Sequence, residues 1–240
     1  MTEIMQKIVF RRSQLIAMVA VLAALNVVTD SFAAPPEVPS GVWYSWNFLV
    51  TPLTGIILGP LLGFAATSVG VLVGHFVYFI DVYEFFFTIG APIGVAVTAL
   101  IYRGRWKPVL GYYILLFAAY WASPVAWQLP PWAMWDTYLA FAILLSTIIF
   151  AKRFLPNSPQ NTSLSLAFAA FIGLEADVLF RIFLLVPGGT YRYFYGWNVE
   201  TLRVIWVSGA VGTPLKAALS TFATVVIGKP VVNLLKDKIV

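Results

Sequence analysis

Apolar residues run through this chain in long blocks separated by short polar or aromatic stretches. The blocks cover about 13–33, 47–58, 61–80, 85–101, 109–126, 137–151, 163–186 and 204–227. Most approach the roughly 20 residues an α-helix needs to cross a hydrocarbon core about 30 Å thick, so they read as membrane-spanning helices. The run at 47–58 is short for that thickness and would have to tilt, thin the bilayer or lie partly within protein. The expected architecture is an all-α integral membrane protein, a polytopic helical bundle forming one transmembrane domain over 1–240. The number of spans is even, eight as the runs stand and six as the smaller count.

Small residues recur with a helical period inside one stretch. Gly55, Gly59 and Gly63 stand four apart, Pro60 interrupts them, and Gly70 and Gly74 resume the spacing. In lipid, helices associate by close backbone approach, and glycines four apart provide the flat face that permits it. Pro60 cannot donate a backbone hydrogen bond and disfavours helix at Gly59. The stretch is therefore expected to divide into a short helix, a tight turn and a second helix, with the other spans packed around that hairpin.

Composition strengthens the membrane reading: 60% of residues are hydrophobic, 10% are charged and the mean hydropathy is +0.87. No cysteine is present, which excludes disulfides, thiolate metal sites and cysteine nucleophiles. The net charge of +5 arises from short basic clusters between apolar runs rather than from a nucleic-acid-binding face. With both termini cytoplasmic, the inner segments hold Lys7, Arg11, Arg12, Arg103, Arg105, Lys107, Lys152, Arg153, Lys229, Lys236 and Lys238. The outer loops then hold only Arg192 and Arg203, as the positive-inside rule requires. Residues 13–33 resemble a secretory signal in outline, but small residues recur inside the run at Ala17, Ala20, Ala23 and Ala24, and the segment reads as a first span.

Ionisable residues inside the spans are where chemistry would reside. Glu175 and Asp177 fall about twelve and fourteen residues into the seventh run, near the bilayer midplane, with Arg181 one turn beyond. Asp177 and Arg181, four apart, face the same way and are expected to pair. Lys216 lies at similar depth in the eighth run, after Thr213-Pro214, which should loosen the helix there. A lone charge at that depth costs roughly 2.5–3.5 kcal/mol on insertion scales, so partners or water are expected, and Glu175 is the natural partner for Lys216. These four either line a cavity open to the outside that recognises a polar ligand, or form an internal network that sets helix register. Asn26 and Asp30 share a face near the outer end of the first run, within reach of interfacial water or such a cavity.

Trp43, Trp46, Trp121, Trp127, Trp132, Trp135 and Trp197 fall toward the outer side, as an interfacial belt or as platforms for a planar ligand. His75, the single histidine, has no further histidine or cysteine to share a zinc or haem with and is expected to be packed and neutral. No GxSxG, HExxH or GxxxxGK[ST] motif occurs, so no catalytic grouping emerges, no cofactor is called for, and any ATP hydrolysis belongs to other chains.

The basic N-terminus, Ala20-Val-Leu-Ala-Ala24, the proline-rich loop, Gly55-Ile-Ile-Leu-Gly59-Pro60-Leu-Leu-Gly63-Phe64 and the closing Gly212-Thr-Pro-Leu-Lys216 resemble the substrate-binding S component of energy-coupling factor vitamin transporters, a family with six spans. The resemblance implies that Ala20 and Ala24 dock a transmembrane coupling (T) subunit and that separate ATPase subunits drive uptake. It also implies that a vitamin or similar micronutrient is held near the outer face by the first outer loop and the later spans. Trp43, Trp46, Asn26, Asp30, Glu175, Asp177, Arg181 and Lys216 are the expected ligand-binding residues. Two further readings stand beside it: a self-contained secondary transporter or channel in which Glu175, Asp177 and Lys216 relay protons or ions, and a scaffold subunit that binds no ligand.

Overall fold

The computed structural model describes residues 12–32, 42–77, 84–149 and 162–237. The expectations placed on Lys7, Arg11, the proline-rich loop at 34–41, Lys152, Arg153 and Lys238 lie outside the described residues. The elements are α1 (Arg12–Asp30), α2 (Thr51–Leu58), α3 (Pro60–Val77), α4 (Glu84–Thr88), α5 (Gly90–Tyr102), α6 (Trp106–Ala122), α7 (Trp135–Ile149), α8 (Thr162–Leu185), α9 (Thr190–Tyr193) and α10 (Val199–Asp237), with no strand among them. Five stretches are long and apolar enough to cross a membrane: α1, α3, α4 with α5, the turn at Pro131 with α7, and α10. Large apolar side chains such as Leu61, Phe76, Val211 and Phe222 lie on the outside of the bundle, a surface suited to lipid rather than water.

The break at Gly59-Pro60 is present. Gly59 has φ 82° and ψ −178°, a conformation essentially confined to glycine, and Pro60 opens α3 as its first residue. α2 has eight residues, about 12 Å, and does not span a bilayer by itself. Ahead of it, Asn47–Leu49 forms a single 3-10 turn rather than the start of a longer helix. A side chain at position 59 would meet both the disfavoured backbone and the Arg103 guanidinium packed over it. Gly59→Ala is therefore expected to lower stability by about 1–2 kcal/mol, read from unfolding in detergent micelles.

The glycine spacing divides its work between two neighbours. Gly55 and Gly63 let α2 and α3 close on Val95 of α5, whereas Gly70 and Gly74 form notches into which Asn26 and Asp30 of α1 fit. A second seam was not anticipated: Gly90 and Gly94 of α5 face Asp177 and Gly173 of α8. That close approach makes α8 the centre of the bundle, and every residue from Ile172 to Leu179 is buried. Tyr112 and Tyr113 of α6 lock it further, donating hydroxyl hydrogen bonds to the Ala176 and Ile172 carbonyls at 2.7 Å each.

Two spans depart from the expected shape. The run at 85–101 is broken at Ile89 into α4 and α5, and the last run extends to 39 residues, about 58 Å. Pro214 was expected to loosen that helix, yet α10 continues through it. Proline there removes the donor for the Ala210 carbonyl, and the Trp135 indole N–H supplies a replacement at 2.9 Å. Trp206 Nε1 and an Arg203 guanidinium nitrogen donate in turn to the Pro130 and Gln128 carbonyls, so the aromatic turn before α7 is fastened to the first half of α10.

Candidate functional site

Polar side chains gather at the end of the bundle formed by the C-terminal ends of α1, α3 and α8 and the N-terminal ends of α4 and α7. Helix spacing alone places Asp177 and Arg181 together: Arg181 Nε donates to Asp177 Oδ1 at 2.7 Å. Tertiary packing adds the rest. Arg181 reaches Glu84 Oε1 at 3.7 Å, His75 Nε2 lies 3.6 Å from the same oxygen, and His75 Nδ1 lies 2.6 Å from Asp30 Oδ2. Ser45 donates to Asp30 Oδ1 at 2.8 Å. The result is a continuous ion-pair chain, Asp30, His75, Glu84, Arg181 and Asp177, joining α1, α3, α4 and α8.

His75 is packed, as expected, but among carboxylates rather than apolar groups. Both ring nitrogens face carboxylate oxygens, one from Asp30 on α1 and one from Glu84 on α4, and no helical spacing along the chain signals either contact. Glu84, the first residue of α4, is buried. Tyr44 also contacts Glu84, and burial followed by that carboxylate holds its phenol well above the usual range, which keeps it a hydrogen-bond donor. Among the described residues no three metal-ligating side chains converge.

Beside this chain lies a partly enclosed cleft. Val42 and Tyr44 of the first loop form one wall, Arg181 and Ile182 of α8 a second, and Thr213 and Lys216 of α10 a third. Asp136, Tyr195, Trp197 and Trp206 close it. Its walls have the usual make-up of a small-molecule site, many apolar and aromatic groups with few polar ones. Tyr195 and Trp197 stack at 4.5 Å with an interplanar angle of 18°, presenting a rigid aromatic surface. Asp136, at the start of α7, accepts from the Thr137 N–H and from the Thr213 hydroxyl.

Of the expected ligand residues, Arg181 and Lys216 line this cleft, and Asp177 stands behind Arg181 as its partner. Lys216 is buried and does not pair with Glu175. Its ammonium donates to the Val42 carbonyl at 3.2 Å and sits 5.8 Å from the Phe48 ring. Glu175 is fully buried, outside the cleft lining, and neither carboxyl oxygen has a hydrogen-bond partner among the described residues. Asn26 and Asp30 are buried between α1 and α3, where Asn26 donates to the Thr54 hydroxyl at 3.1 Å. Trp43 and Trp46 pack edge to face on one another beside Phe48 rather than into the cleft. Trp127, Trp132 and Trp135 are the exposed members expected of a belt. Ala20 and Ala24 lie on the exposed face of α1.

Tyr44, Asp136, Thr213 and Trp206 were not singled out as ligand residues from sequence. Thr213 could have been, since it stands three residues before Lys216 and so shares its helix face. Compared with family models, with curated proteins and with solved structures, the chain matches none.

Proposed function

We propose that the protein is a multi-pass cell-membrane protein that captures a small solute in the cleft at its outer face, as a substrate subunit served by separate coupling and ATPase chains. The observation that carries this reading is the cleft itself, which sets the half-buried Arg181 guanidinium and the buried Lys216 ammonium among aromatic walls. Burying such groups without function is costly, and a concave site with a few convergent polar groups is the usual form of a ligand pocket. Two further features agree with the energy-coupling factor resemblance. The cleft is built by the first loop and the later helices, and Ala20 and Ala24 face outward, free to dock a T subunit. An even number of crossings with both termini in the cytoplasm belongs to the same proposal, and it puts the cleft outside. The solute would be a vitamin or similar micronutrient.

The test uses native mass spectrometry of the purified protein to find a retained small molecule. Gly209 lines the cleft, and a Cβ added there would meet nothing within 4 Å. Gly209→Phe should therefore fill the cavity without disturbing the fold. The expected outcome is loss of the retained molecule with unchanged thermal stability; retention equal to wild type would sink the reading. Co-purification with an ATPase pair tests the subunit assignment.

Glu175 favours a second reading, a self-contained secondary transporter, because an unpartnered carboxyl at the centre of α8 is a natural proton carrier. Uptake by the isolated chain in liposomes under a proton or sodium gradient, abolished in Glu175→Gln, would establish it over the first.

A further inference from the structure

The charged groups around the cleft differ in how far the protein itself satisfies them. Arg181 is bonded to Asp177 and held near Glu84, and its guanidinium lies 5.9 Å from the Tyr44 ring centroid. Asp136 accepts from Thr137 and Thr213. Lys216 is different. An ammonium carries three donors, and among the described residues only the Val42 carbonyl accepts from it, with no carboxylate within 4.0 Å. It is 6% exposed, so bulk water does not make up the difference.

We infer that the cleft selects a singly charged organic anion, a monocarboxylate on a flat apolar or aromatic body, whose carboxylate bonds Lys216 Nζ. This rests on the solute-capture reading and narrows it. The stacked pair Tyr195 and Trp197, together with Trp206, lines the cleft and provides aromatic surface for the body. Multiply charged phosphates fit poorly: they call for several unpaired donors, whereas Arg181 is already engaged by carboxylates and the Asp136 carboxyl shares the cleft. A positively charged solute would meet the Lys216 ammonium in a water-poor space.

The experiment measures binding of a probe series to the full chain in lipid nanodiscs by calorimetry: 2-naphthoate as the anion, 2-naphthylmethanol as the neutral analogue, 2-naphthylmethylamine as the cation and 2-naphthyl phosphate as the multiply charged anion. The expected result is that 2-naphthoate binds roughly 10- to 100-fold more tightly than the other three, the range set by one charge-assisted hydrogen bond. Lys216→Met should erase that preference, and Lys216→Arg should keep most of it. Equal binding of the alcohol or amine, or an undiminished preference in Lys216→Met, overturns the anion assignment and leaves solute capture standing. Should no probe bind, the molecule found by native mass spectrometry decides. A retained monocarboxylate supports the inference, a neutral or phosphorylated molecule overturns it, and the absence of any retained molecule overturns solute capture as well.

Discussion

Arg181→Met is expected to lower stability by about 3–5 kcal/mol, the usual cost of leaving buried charges without their partner. The magnitude follows from what is left behind: Asp177 and Glu84, both buried, lose the cation between them, and only the His75 ring remains between Glu84 and Asp30. Thermal unfolding in micelles provides the measurement. The double variant Asp177→Asn with Arg181→Met removes a charge of each sign and should recover part of the loss, which separates charge imbalance from lost packing. Stability within about 0.5 kcal/mol of wild type for Arg181→Met would mean that the ion-pair chain does not hold the four helices together.

Gly173→Leu is expected to cost about 3 kcal/mol, the upper part of the usual range for overpacking. A side chain at 173 would fall on the Thr98 hydroxyl and within 2.8 Å of the Gly94 carbonyl oxygen, and a backbone carbonyl cannot rotate out of the way. α5 and α8 would have to part. Because Gly90 of the same seam receives Asp177, their separation would also disturb the carboxylate that holds Arg181 at the cleft. Gly111→Leu is the matched control, since nothing lies within 4 Å of a side chain there, and it should change stability by no more than about 0.5 kcal/mol. Equal effects at 173 and 111 would show that the α5–α8 approach is not sterically limited.

These two sites also explain why the cleft has its shape. α8 carries Asp177 and Arg181 at a fixed height because it is clamped by glycines on α5 and by tyrosine hydroxyls on α6. α10 carries Lys216 at the facing height because Trp135 replaces the hydrogen bond that Pro214 removes, so the helix stays continuous between the aromatic turn and the cleft. A flexible loop would place such cations less well, since their charges are useful only where water is excluded and position is held.

Read alone, the sequence determined the features that depend on neighbours along the chain. Long apolar runs, the turn at Gly59-Pro60 and the Asp177–Arg181 pair follow from length, backbone sterics and the period of 3.6, and each is present in the structure. Only the tertiary structure decided which helices the glycines close upon, that His75 stands between Asp30 and Glu84, and that Lys216 turns to the Val42 carbonyl instead of Glu175. The reason is rotational. Periodicity defines a face on each helix, but the partner that face meets depends on how neighbouring helices are turned and shifted, and small notches at Gly70, Gly74 and Gly173 set that across contacts remote in sequence.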